Sequence, residues 1–229
     1  MQEENLIQYK PPVSYRDTSD RLGNLSEQFL KIKISNEYTI NDVRYNTLTH
    51  CREATLSSRM ITTFLANVAE EKFPSQQFES LVGVGPAQEA SKRLSEASRL
   101  SLVVLYQFQV EYLYKSLIAA LGENSPRGYY NIAKKILQIL SLDDQDKKFR
   151  ILYTPALIRN SYHSNGVHTD KNNPSWALDL DGCRFDFSLN QKISCAGWGH
   201  IVHALNAATL VLNEVLCSDK IKSKSIINF

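Results

Sequence analysis

A chain of 229 residues, 43% hydrophobic and 22% charged, has the composition of an ordinary folded protein with room for one sizeable domain. Nine glycines and seven prolines exclude a collagen-like or low-complexity chain. Twenty-six basic against 24 acidic side chains give a formal charge of +2, which excludes a histone-like polycation and leaves room only for a local basic patch. Four cysteines at 51, 183, 195 and 217 form no close pair, so neither a disulfide framework nor a zinc ribbon is expected. Met1 to Pro12 lacks the basic start and apolar core of a signal peptide. The most apolar stretch, Leu102 to Phe108, is too short to span a bilayer. These features lead us to expect a soluble cytoplasmic protein with reduced thiols and no membrane contact.

Residues 1–20 read as a flexible lead-in, because Pro11-Pro12 blocks a helix and few apolar residues precede Leu22. Leu22, Leu25, Phe29 and Ile32 predict a short helix from Asp20 to about Ile34. Thr39 to Asp42 offers capping side chains for a long helix reaching about Phe73, where Pro74 ends it. Its stripe is Val43, Thr47, His50, Ala54, Ser57, Ile61, Phe64, Leu65 and Val68, which makes His50 a core histidine by pattern.

Gly83-Val84-Gly85-Pro86 lacks the Lys-Ser/Thr of a phosphate loop and the third Gly of a dinucleotide fingerprint, so Pro86 is read as a first-turn residue. The helix that follows, Ala87 to Leu121, would be roughly 50 Å long. It turns apolar almost all round after Leu100, which predicts a central helix packed on several sides. Gln107 and Glu111 form one polar seam along it, and Tyr106, Tyr112 and Tyr114 read as core and seam.

Tyr129 to Leu142 is amphipathic through Ile132, Ile136, Leu137, Ile139 and Leu140. A further helix is predicted from Phe149 to His163, with a start or kink at Thr154-Pro155, and Asn165-Gly166 supplies a left-handed stop. Around the turn dipeptide Asp181-Gly182, a hairpin over 176–187 pairs Leu180 with Cys183, Leu178 with Phe185 and Trp176 with Phe187 on one face. Trp198 to Cys217 is the last helix, and residues 219–229 read as a polar, solvated tail. The predicted architecture is all-α: one domain over 21–218, a bundle of five or six helices with one β-hairpin near the C-terminus.

The chemistry concentrates in Arg159-Asn160-Ser161-Tyr162-His163. On a helix Arg159 and His163 share a face, their Cβ atoms roughly 6 Å apart. The guanidinium is a permanently charged fork for phosphate oxygens, and an imidazole titrates near neutrality. With the amide of Asn160 they match what RNA cleavage by its own 2′-hydroxyl requires, namely proton transfer and stabilisation of the pentacoordinate phosphate, without a metal. The same side chains would serve equally to tie the helix end to its neighbours, with His163 capping carbonyls.

Arg159-Asn160 followed shortly by His at the end of a late helix resembles the signature of HEPN domains. The Asn165-Gly166 stop, the hairpin and a last helix from Trp198 are similar to bacterial HEPN-like proteins. The resemblance implies an endoribonuclease of toxin or antiphage-defence type. It also implies a homodimer with a composite site, acting on RNA, with an antitoxin or other defence protein as partner. It assigns Arg159 to phosphate binding, Asn160 to orienting Arg159, and His163 to acid–base work. Three residues separate Arg159 from His163 and eight separate it from His168, which falls on either side of the family's usual interval. Three readings stay open: His163 acts from one turn away, His168 swings in from beyond the helix end, or the domain only binds RNA, a nucleotide or a protein.

Lys147, Lys148 and Arg150 could guide an RNA backbone toward Arg159, or simply be exposed bases near a helix. His200 and His203, with His163 or His168, are zinc-type residues, but no Cys or carboxylate stands at the companion spacing. No metal and no cofactor is expected.

Overall fold

The computed structural model describes residues 14–70 and 87–227. Pro11-Pro12, Phe73, Pro74 and the Gly83–Pro86 stretch lie outside the described residues. Seven helices and one two-stranded sheet are present among the described residues. The chain is an all-α bundle with a β-hairpin near its C-terminus.

Helix α1, Tyr15–Ser35, starts five residues before the expected point. Ser14 is its N-cap, with its hydroxyl accepting from the Asp17 amide at 3.2 Å. The early turns bury Thr18, Ser19, Gly23 and Ser26, small residues that carry no apolar signal. They allow α1 to lie close to α2, Val43–Ala69. A Cβ at Gly23 would sit 3.1 Å from Cζ of Arg59, and the Ser19 and Thr63 hydroxyls meet at 2.7 Å.

Asp42 caps α2, accepting from the Arg44 amide at 2.8 Å. The buried face of α2 runs through Val43, Leu48, Cys51, Ala54, Thr55, Ser58, Thr62 and Leu65. His50 is not in the core: it is exposed, its Nδ1 3.2 Å from Oε1 of Gln109. The stripe drawn from the sequence is rotated because small hydroxyl residues take core positions beside α1.

Helix α3, Ala87–Ala120, runs along α2 and touches the later helices. It is not packed on all sides, since Leu105, Phe108 and Tyr112 are 46%, 58% and 40% exposed. These three form one apolar stripe along the helix. On the inner face Tyr106, Gln107, Val110, Leu113, Tyr114 and Leu117 are buried, and Tyr114 stacks on Tyr129 at 6.4 Å.

Helix α4, Tyr129–Leu140, buries Ile132, Ala133, Ile136, Leu137 and Leu140. Helix α5, Gln145–His163, is continuous through Pro155 and starts four residues earlier than the apolar pattern suggests. An interior proline costs about 3 kcal/mol. Burial of Phe149, Leu152, Ala156, Leu157 and Ile158 offsets that cost and keeps the helix whole.

Strands β1, Ser175–Leu180, and β2, Cys183–Ser188, pair in the predicted register, and Asp181 and Gly182 both have positive φ. Trp176, Leu178, Leu180, Cys183, Phe185 and Phe187 face the core. Helix α6, Trp198–Cys217, packs against α1 and α5. By length and composition it could cross a membrane, with mean hydropathy 1.3, yet 56% of that window is buried inside the fold.

The segment after α6 is not simply solvated. Asp219–Lys222 forms a short helix, α7, and Ile221 and Ile227 are buried. Arg44 and Asp42, 2% and 1% exposed, hold this segment. The guanidinium binds the Asp42 carboxylate and donates to the carbonyls of Ile221, Lys224 and Ser225 at 3.1 to 3.3 Å. The Val43 amide donates to the Ile227 carbonyl at 2.9 Å. Removing one partner of a buried ion pair leaves the other uncompensated and costs about 3–5 kcal/mol. Arg44→Met is therefore expected to lower the unfolding free energy by about that amount, read by denaturant titration. Hydrogen exchange should show the amide of Val43, the donor to the Ile227 carbonyl, losing its protection first.

Candidate functional site

Helix α5 ends in a tight reversal. Asn165 and Gly166 have φ of 55° and 81°, and the Gly166 amide donates to the Ser161 carbonyl at 2.7 Å. The chain then runs back beside residues 190–193: the His168 amide donates to Gln191 O and Asn190 N to His168 O. The returning loop, the last turns of α5 and the start of α4 enclose a cleft of about 620 Å³.

Tyr130 and Tyr153 form its aromatic side. Their rings meet edge-on at 5.2 Å within a cluster that includes Phe149 and Trp176. Asn131, Asn160, Asn172 and Asn173 supply amides, and Asp170 supplies a carboxylate. Asp170 Oδ2 accepts from the Tyr153 hydroxyl at 3.1 Å and from Asn173 Nδ2 at 2.8 Å, and Oδ1 accepts from the Asn172 amide at 2.9 Å. Burial opposes its charge, but these donors outweigh that effect and hold its pKa below the usual carboxylate value. The Tyr153 hydroxyl is pushed up by burial and then by Asp170.

Arg159 and Asn160 are half-buried at the edge of this cleft. Nε and Nη2 of Arg159 donate to Oδ1 of Asn160 at 3.2 and 2.9 Å. The guanidinium is also within electrostatic reach of the Tyr129 and Tyr153 hydroxyls. His163 lines the cleft, is exposed, and makes no side-chain hydrogen bond among the described residues. Arg159, Asn160 and His163 thus lie in the last turns of α5: Asn160 and His163 line the amide-rich cleft, and Arg159 is tied to it through Asn160.

His168 does not join them. It is 1% exposed, its Nε2 lies 2.7 Å from the Asn173 carbonyl, and its ring packs 5.6 Å from Phe187. The reversal at Asn165-Gly166 turns it into the core, so it pins the loop from inside. The basic strip is also partly committed. Lys148 is buried between Asp143 and Glu214, with 2.6 Å to the latter. Arg150 donates to Asp146 at 3.3 Å and to the Ala177 carbonyl at 3.0 Å, and lies over Trp176. Lys147 is exposed. The seam residues divide: Gln107 is buried near the Tyr129 hydroxyl, and Glu111 pairs with Lys115 at 2.7 Å.

Sequence reasoning passed over Tyr130, Tyr153, Asp170, Asn172 and Asn173. The available signal was the run of Asp and Asn after the helix stop, whose side chains favour turns. Nothing in the sequence says that this turn folds back onto α5.

No family model matches this chain, and no curated protein or solved structure matches it.

Among the described residues no three His, Cys, Asp or Glu side chains are placed to hold a metal. His203 Nε2 lies 2.9 Å from the Leu180 carbonyl, and His200 sits edge-on to Phe185 at 5.5 Å. Burial is the main cause that lowers both pKa values, opposed by contacts with the backbone of Arg184 for His200 and Leu180 for His203. As pH falls, the unfolded chain takes up these protons before the folded one does. Stability from this pair is therefore whole above about pH 6.5 and is lost as pH drops through the depressed folded values. In thermal unfolding between pH 7 and 5, a His200→Gln/His203→Gln variant is expected to lose less melting temperature than the wild type.

Proposed function

We propose that this chain is a HEPN-like, metal-independent endoribonuclease that cleaves RNA through attack of a 2′-hydroxyl on the adjacent phosphate. The observation that carries the reading is that Asn160, which holds Arg159, and the solvent-open His163 line one cleft, with Arg159 one helical turn before His163. His163 takes the proton of the 2′-hydroxyl, or gives one to the departing 5′-oxygen, and the partner copy's motif serves the complementary step. The new O–P bond closes a 2′,3′-cyclic phosphate as the P–O5′ bond breaks. Arg159 stabilises the added charge on the phosphorane.

A homodimer fits this chemistry, because one His163 cannot be acid and base in the same step. The exposed stripe of Leu105, Phe108 and Tyr112 supports self-association. The exposed Lys147 would then attract the RNA backbone. A toxin or antiphage-defence role, with an antitoxin or other defence protein as partner, follows from the resemblance. Four free cysteines, three of them buried, suit a reducing cytoplasm.

The short interval between Arg159 and His163 favours a second reading, a non-catalytic module that binds RNA, a nucleotide or a protein. Cleavage of mixed RNA in excess EDTA separates the two. The wild type is expected to cut. His163→Ala should slow cutting by about 10²–10⁴-fold and Arg159→Ala by about 10²–10³-fold, with the helical circular dichroism unchanged. A wild type that binds RNA without cutting it supports the binding module. An equally active His163→Ala rejects the assignment of His163.

A further inference from the structure

We propose that the cleft bounded by Tyr130, Tyr153 and Asp170 is a nucleobase pocket, which selects the base next to the phosphate that Arg159 holds. The inference rests on the reading of the chain as an RNA enzyme and adds what that enzyme would recognise.

Charge decides which part of a nucleotide enters. Asp170 is kept ionised by its three donors, so the cleft repels a phosphate group. Two cations border it: Arg159, bonded to Asn160, and Lys134, whose Nζ donates to the Tyr130 hydroxyl at 2.7 Å. A nucleotide therefore sits with its phosphate at the helix end and its uncharged part inside.

The side chains inside suit a flat ring with polar edges. Tyr130 offers a half-buried ring and Tyr153 a largely buried one that is stacked on Phe149 at 5.7 Å and packed against Trp176. Asn160 has its oxygen occupied by Arg159, which leaves its NH₂ group to donate to a ring nitrogen or carbonyl. An ionised carboxylate offers about four acceptor sites, and three are filled at Asp170, so one remains for an N–H donor of a base. The side chain of Asn172 adds an exposed amide that makes no hydrogen bond among the described residues. Donors and acceptors are thus both present, which is what reading a base edge needs. A volume of about 620 Å³ leaves space for a nucleoside.

The test is calorimetric titration of the full chain with guanosine, adenosine, cytidine and uridine, beside ribose 5-phosphate and inorganic phosphate as controls. The expected result is saturable binding of at least one nucleoside, discrimination among the four bases, and no competition between inorganic phosphate, which Arg159 would hold outside the pocket, and the nucleoside. Asp170→Asn should weaken the preferred nucleoside about tenfold, the loss of one charge-assisted hydrogen bond. Asn172→Ala, a change to an exposed side chain that leaves the fold intact, should weaken it several-fold. Equal affinity for all four nucleosides and ribose 5-phosphate would make the cleft a sugar site and overturn the proposal. No binding of any nucleoside would overturn it too. Nucleoside binding without RNA cleavage would instead leave the pocket standing and remove the nuclease reading.

Discussion

The candidate site depends on one local constraint, the left-handed reversal at Asn165-Gly166 that ends α5. Two consecutive residues of positive φ turn the backbone through a conformation that glycine adopts freely and asparagine tolerates. The Gly166 amide satisfies the Ser161 carbonyl, and the next residues pair with 190–193. From this turn follow the burial of His168, the return of Asp170 to Tyr153, and the closure of a cleft beside Arg159 and His163. Without it, the last turn of α5 would present its polar side chains to open water.

The reversal also arranges charge. His168 inside and Asp170 outside grip the same loop from opposite sides, through the Asn173 carbonyl and amide respectively. The Tyr153 hydroxyl joins that loop to the middle of α5. One helix thus carries a cation at its end and organises an anion beside it. On the proposed reading, that separation gives the site two compartments, one for phosphate and one for an uncharged polar ring.

Much of the fold is legible in the sequence where the determinants are local. Asp181-Gly182 fixes the hairpin register because both residues accept positive φ and the alternation on either side leaves one consistent pairing. Asp42 is readable as a cap and Asn165-Gly166 as a stop for the same reason. The start of α1 is not legible, since Thr18 and Ser19 are buried against α2 and carry no apolar period. The exposed Leu105, Phe108 and Tyr112 defeat the opposite inference, that an all-apolar helix is enclosed on every side. At the site, Arg159, Asn160 and His163 are local and readable. The burial of His168, the pairing of Lys148 with Asp143 and Glu214, and the contact of Asp170 with Tyr153 are tertiary, and spacing along the chain does not encode them.

In the proposed reaction the 2′-hydroxyl of the substrate, not water or a metal-bound hydroxide, attacks the phosphate. The direct measurement takes an RNA oligonucleotide that the wild type cuts in EDTA, and its twin with a single 2′-deoxy substitution at the cut nucleotide. The account predicts that the all-RNA strand yields a 5′-fragment ending in a 2′,3′-cyclic phosphate, while the substituted strand survives at that position. Cleavage of both strands at the same bond would contradict it.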